Sequence, residues 1–117
     1  MKKIIIIGAT LLAAGCFLMT GCGGDAPKQT KNEIHVVTHA NWNPFEYMEN
    51  GKIVGFDVDL AREAVKRAGL TMDLTDAGWE ALFEQIRSHQ ADMAISGVTV
   101  TKDREASYLF SAPYFLS

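Results

Sequence analysis

The residues best suited to chemistry lie close together, in the run Ser96-Gly97-Val98-Thr99-Val100-Thr101-Lys102-Asp103-Arg104. A short apolar segment, Asp92-Met93-Ala94-Ile95, leads into small residues and hydroxyls, and an arginine follows. Small residues let backbone N–H groups come close to a ligand. Hydroxyls add donors that rotate to fit. A guanidinium offers a planar fork that meets a carboxylate with two parallel hydrogen bonds. These are the parts needed to hold the carboxylate of a small molecule.

Other chemistries find less support. Asp57 and Asp59 have the look of a catalytic carboxylate pair, but they stand where a helix begins. Anions there complement the open N–H groups, so both are read as capping and charging the first turn. His35, His39 and His89 lack metal-ligand spacing, and neither helix carries a His-x-x-x-His face. The chain has neither a glycine-rich phosphate loop nor a serine elbow. No metal and no cofactor is expected. The formal net charge is −3, which argues against nucleic acid as a partner.

The elements that position the Ser96–Arg104 run follow from pattern. Glu33-Ile34-His35-Val36-Val37-Thr38 is short and β-branched, hence a strand. Asn41-Trp42-Asn43-Pro44 is loop. Asn50-Gly51, between Phe45-Glu46-Tyr47-Met48 and Lys52-Ile53-Val54, predicts a hairpin because both residues accept positive φ. A helix starts at Asp57, with Leu60, Ala61, Ala64, Val65 and Ala68 on one face, and stops at Gly69. Thr71 to Leu74 is a second strand. Trp79 to Ser88 is a second helix with Leu82, Phe83 and Ile86 inward. Asp92 to Ile95 is a third strand, Thr101 caps a short turn of helix, and Tyr108 to Phe110 is extended. Strands alternating with helices imply a parallel sheet flanked by helices. In such sheets ligands sit beyond the carboxyl ends of the strands, where His39–Pro44 and Ser96–Arg104 fall.

The N-terminus has a different character. Met1-Lys2-Lys3 is a positive start, and residues 4–21 carry no charge. This layout fits a secretory signal over residues 1–21; an uncleaved membrane anchor is the competing reading. Cys16 follows Ala13-Ala14-Gly15 and Cys22 follows Leu18-Met19-Thr20-Gly21; both resemble the lipoprotein cleavage box, in which the cysteine is lipidated. Cys22 is preferred, since a polar tether (residues 22–32) begins there. Cleavage at that point would leave Cys22 the sole cysteine, so no intramolecular disulfide is expected. Acyl chains contribute about 0.8 kcal/mol per buried methylene, enough in combination to hold a soluble domain at a membrane. Residues 33–117 then suffice for one small core, and the apolar run Leu109 to Ser117 suggests the front part of a longer protein.

Several segments together resemble one family. They are Asn43-Pro44-Phe45-Glu46-Tyr47, Gly51 to Leu60, Trp79-Glu80-Ala81-Leu82, Asp92 to Thr101 with Arg104, and Phe110-Ser111-Ala112-Pro113-Tyr114. In order and spacing the chain resembles the extracellular solute-binding proteins of family 3, the polar-amino-acid receptors of ABC importers. The resemblance implies a two-lobed, periplasmic-binding-protein-like α/β fold. Residues 33–117 would be part of lobe one, in a monomer that hands an amino acid to a membrane permease outside the cytoplasm. It implies carboxylate binding by Arg104, Thr99, Gly97 and Ser96. Trp42 would cover the ligand, and Trp79 would line the pocket or pack in the core. His39 stands where binders of basic amino acids often have an acid, which weighs against lysine or arginine. Relatives of the fold include cyclohexadienyl dehydratases, so an enzyme is the alternative function; a sensor domain is a third.

Overall fold

The computed structural model describes residues 32–116. The expected signal segment, Cys16, Cys22 and the tether up to residue 31 lie outside the described residues. Among the described residues no helix is long and apolar enough to cross a membrane.

Strand β1 (Glu33–Thr38) is the axis of the fold. Its branched side chains point alternately to opposite faces, so both faces can be covered. Strands β5 (Thr71–Asp76) and β6 (Met93–Ala94) pair with it on either side, both parallel, in the order β5-β1-β6. Val36 lies opposite Leu74 on one neighbour and Met93 on the other. Helix α1 (Phe56–Arg67) covers one face, where Val36, Ala61, Val65 and Ile95 form a buried cluster. Helix α2 (Trp79–Arg87) covers the other, where Val37, Leu82 and Ala91 are buried.

A second, antiparallel sheet packs beside this layer: β2 (Asn41–Trp42), β3 (Glu46–Glu49) and β4 (Lys52–Val54). The Asn50-Gly51 turn has both φ angles positive, at 51° and 75°, as the hairpin reading requires. Gly69, at φ 75°, follows the end of α1.

Four local expectations need correction. Asp57 does not cap α1: the N-cap is Gly55, no side chain caps the helix, and Asp57 is turned inward. Ala64 and Ala68 are exposed, while Asp57 and Val58 join Ala61 and Val65 on the buried face. Alanine is too weakly apolar to decide which way a helix turns. The third strand is only Met93–Ala94, shorter than the Asp92–Ile95 run. Asn41–Trp42, read as loop, forms a short edge strand against β3.

Candidate functional site at the carboxyl edge of the sheet

Because β1, β5 and β6 run parallel, their ends open on one edge. Backbone bonds stitch that edge together. Ala77 N–H donates to the Thr38 carbonyl at 2.8 Å, and Ile95 N–H to that of Val37 at 3.0 Å. Ala40 N–H donates to Asp76 Oδ1 at 2.8 Å. The His39 ring belongs to this stitching: its Nδ1 lies 2.9 Å from the Ala77 carbonyl.

Arg104 sits on α3 (Lys102–Glu105), a single turn whose N-cap is Thr101, as its sequence suggests. Thr101 Oγ1 accepts from Arg104 N–H at 3.3 Å. The guanidinium folds back so that Nη1 donates to the Thr99 carbonyl at 2.9 Å. Its carbon lies 5.7 Å from the centre of the Trp79 ring and 5.4 Å from that of Phe83, within range of cation–π attraction. These two rings meet edge to face at 5.1 Å, and Tyr108 packs on Phe83 at 5.6 Å. A cavity of about 650 Å³ opens here, lined by Trp79, Phe83, Glu84, Arg87, Arg104 and Tyr108 among others. Arg87 joins its rim by donating to Glu84 and to the Tyr108 hydroxyl, both at 3.0 Å. Among the described residues nothing takes the Thr99 N–H or hydroxyl. A cationic fork on an aromatic seat, with an open N–H and hydroxyl nearby, can hold a carboxylate.

Ser96 and Gly97 face inward instead. Gly97 has φ +54°, and a side chain there would strike the Trp42 ring, so the indole lies directly on the backbone. Gly97 N–H donates to Asp57 Oδ2 at 2.9 Å. The same oxygen accepts from the Tyr114 hydroxyl at 2.8 Å. Ser96 Oγ donates to Glu46 Oε1 at 2.8 Å and accepts from His39 N–H at 3.2 Å. Glu46 is 1% exposed and Asp57 0%. Burial pushes the Glu46 carboxyl up to about 7; the Ser96 bond opposes this, and the Asp57 charge adds to it. Burial, and then the bond to Asp57, likewise pushes the Tyr114 phenol up.

The named residues therefore fall into two groups. Arg104, Thr99 and Trp79 gather at the cavity; Ser96, Gly97 and Trp42 gather over the buried acids. Trp42 stays 52% exposed and touches Phe45, with ring centres 5.0 Å apart. From sequence, Glu46, Tyr114 and Phe83 do not stand out as site residues, and Asp57 reads as a cap. One clue was available for Asp57: it shares the four-residue spacing of Ala61 and Val65, and an acid on an apolar stripe is a buried acid. Among the described residues no group of His, Cys, Asp or Glu is placed to hold a metal ion.

The family model of the bacterial extracellular solute-binding proteins, family 3, matches residues 34–117. The chain belongs to this family. As a family 3 solute-binding chain it is 36% identical over 119 residues to the arginine-binding extracellular protein ArtP of Bacillus subtilis. That alignment covers 98% of this chain and 45% of ArtP. The chain spans less than half the length of the curated relatives it matches. Among solved structures it is similar to the arginine-, lysine-, histidine-binding protein ArtJ of Geobacillus stearothermophilus, at 52% identity and a TM-score of 0.69. The match covers 71% of this chain and 36% of ArtJ. The arginine-bound domain 1 of TmArgBP matches at 40% identity and a TM-score of 0.69, over 72% of this chain and 68% of that domain. An ancestral cyclohexadienyl dehydratase shares the fold at 32% identity and a TM-score of 0.67, over 72% of this chain and 35% of the dehydratase. ArtP is, by its name, an extracellular binding protein.

Proposed function

We propose that this family 3 chain supplies the lobe-one grip on an amino acid with a cationic side chain and serves import, not catalysis. The observation that carries the reading is the Arg104 guanidinium, seated on Trp79 and Phe83 at the edge of a cavity. In this reading Arg104 and Thr99 take the ligand carboxylate, and Trp79 stacks beside it. Trp42, held on Gly97, covers the ligand from the Ser96 side. The names of ArtP and ArtJ favour a cationic amino acid over the opposite inference from His39. The His39 ring is engaged at the Ala77 carbonyl. Residues 1–21 act as the signal, Cys22 carries the lipid, and residues 22–32 tether the lobe (residues 33–117) outside the cytoplasmic membrane. The partner is an ABC permease, and the receptor works as a monomer whose lobes close on the ligand.

Isothermal titration with L-arginine and L-histidine tests this. The chain binds one of them, and Arg104→Ala weakens binding at least tenfold, since a charged hydrogen bond is worth about 1.5–3 kcal/mol. Unchanged affinity in Arg104→Ala removes the assignment. The ancestral dehydratase supports an enzyme as second reading; turnover of prephenate or arogenate, with no amino-acid binding, would favour it.

A further inference from the structure

Two carboxyl groups with almost no exposure, those of Glu46 and Asp57, bond to the adjoining residues Ser96 and Gly97 and lie near enough to act on each other. Each has one oxygen committed: Glu46 Oε1 to the Ser96 hydroxyl, and Asp57 Oδ2 to the Gly97 N–H and the Tyr114 hydroxyl. Each has a second oxygen, Glu46 Oε2 and Asp57 Oδ1, with no other partner among the described residues. Two bare carboxylates in that position would repel each other without water to screen them. A proton between them converts the repulsion into a hydrogen bond and satisfies both remaining oxygens.

We infer that Glu46 and Asp57 act as a positioning pair, in which one proton shared between Oε2 and Oδ1 holds the Ser96–Gly97 turn and Tyr114 in the arrangement that accepts an amino acid. The inference rests on the proposed binding function for its ligand, but the proton and the held turn can be read without any ligand. Loss of the proton to solvent leaves two anions in contact, and the turn and the Tyr114 segment part to admit water. The groups around the pair are few. From the Tyr114 segment comes its phenol. From the His39 loop come a backbone N–H and carbonyl, with the imidazole turned to Ala77. The turn itself contributes a hydroxyl and an amide, and β2 and α1 add only aromatic rings nearby: Trp42 over Gly97 and Phe56 against Tyr114. On α1, Asp59 pairs with Arg62 on the exposed surface. Among the described residues no cation reaches the pair to replace the proton. The raised Glu46 value, about 7, agrees with a proton kept across the mildly acidic range.

Carboxyl-detected NMR of glutamate-labelled chain, followed from pH 5 to 9 together with the Gly97 amide, tests the pair. Glu46 is expected to titrate near 7 and the Gly97 amide to shift with the same midpoint. Glu46→Gln is expected to abolish that midpoint, since an amide donates permanently. L-arginine affinity of the wild type should fall about tenfold between pH 6 and pH 8, as the competent fraction falls, and stay level in Glu46→Gln. A Glu46 carboxyl titrating in the ordinary range, or a Gly97 amide unmoved by it, overturns the inference. So does an amide that follows Glu46 while arginine affinity ignores pH. If arginine fails to bind at any pH and the Gly97 amide still follows Glu46, the amino-acid reading falls and the shared proton stands.

Discussion

At the scale of single residues, Gly97 does two jobs that no other amino acid can combine. Its φ of +54° suits glycine, and its missing side chain lets the Trp42 ring rest on the backbone. Gly97→Ala should therefore cost about 1–3 kcal/mol of stability and dislodge the indole. Thermal unfolding and tryptophan fluorescence would show both effects; an unchanged Trp42 environment would refute the contact. Glu46 makes a different prediction. Its folded value lies near 7, above its ordinary 4.5, so the folded state binds more protons between those limits. Stability contributed by the protonated carboxyl is complete below about 4.5 and drains away as pH rises through 7, by up to about 1.4 kcal/mol per pH unit. Urea denaturation should find Glu46→Gln close to wild type at pH 5 and more stable at pH 8. Sequence alone points to Arg104, Thr99 and Gly97 because a guanidinium, a hydroxyl and a missing side chain are the parts that carboxylate binding would call for. It does not point to Glu46, because an acid on a short strand reads as solvated until the partner fifty residues away is seen.

At the scale of elements, β1 organises everything else. It must be apolar on both faces because α1 and α2 close over opposite sides of it, and Val36 and Val37 each anchor one cluster. Leu82 is the deepest side chain that α2 contributes, with no exposure at all. Leu82→Ala should cost about 2–5 kcal/mol, the range for a buried leucine. Since α2 also carries Trp79 and Phe83, the same change should loosen the Arg104 seat and enlarge amide exchange around Thr99. A loss of stability with no change at Thr99 would separate the core from the site. Element order, the hairpin and the parallel sheet were legible because each rests on a local pattern: branched runs, Asn50-Gly51, and apolar spacing at three and four. The edge strand Asn41–Trp42 was not, since two residues carry no period and only pairing with Tyr47 and Glu46 makes them a strand.

At the scale of the whole molecule, the strand ends present an open edge. The cavity at Arg104 is bounded by α2, α3 and Tyr108, and Trp42 stands half exposed above the adjacent turn. Phe56, Phe115 and Leu116 are exposed as well, and Phe115 packs on Phe45 with ring centres 5.0 Å apart. A ligand held on this surface alone keeps one side in water, where each ionic contact is weakened by solvent and salt. Covering that side raises the strength of the same contacts without adding to them on this chain. A version carrying a second lobe, at the length of the relatives, should therefore bind its amino acid more tightly than residues 33–117 do. Titration calorimetry at two salt concentrations makes the comparison. The shorter form should lose affinity steeply between 50 and 500 mM salt, and the longer form less so, because its ion pair is screened less. Equal affinity and equal salt dependence in the two forms would mean that the edge of this sheet carries the whole site, with Arg104 already as dry as it becomes.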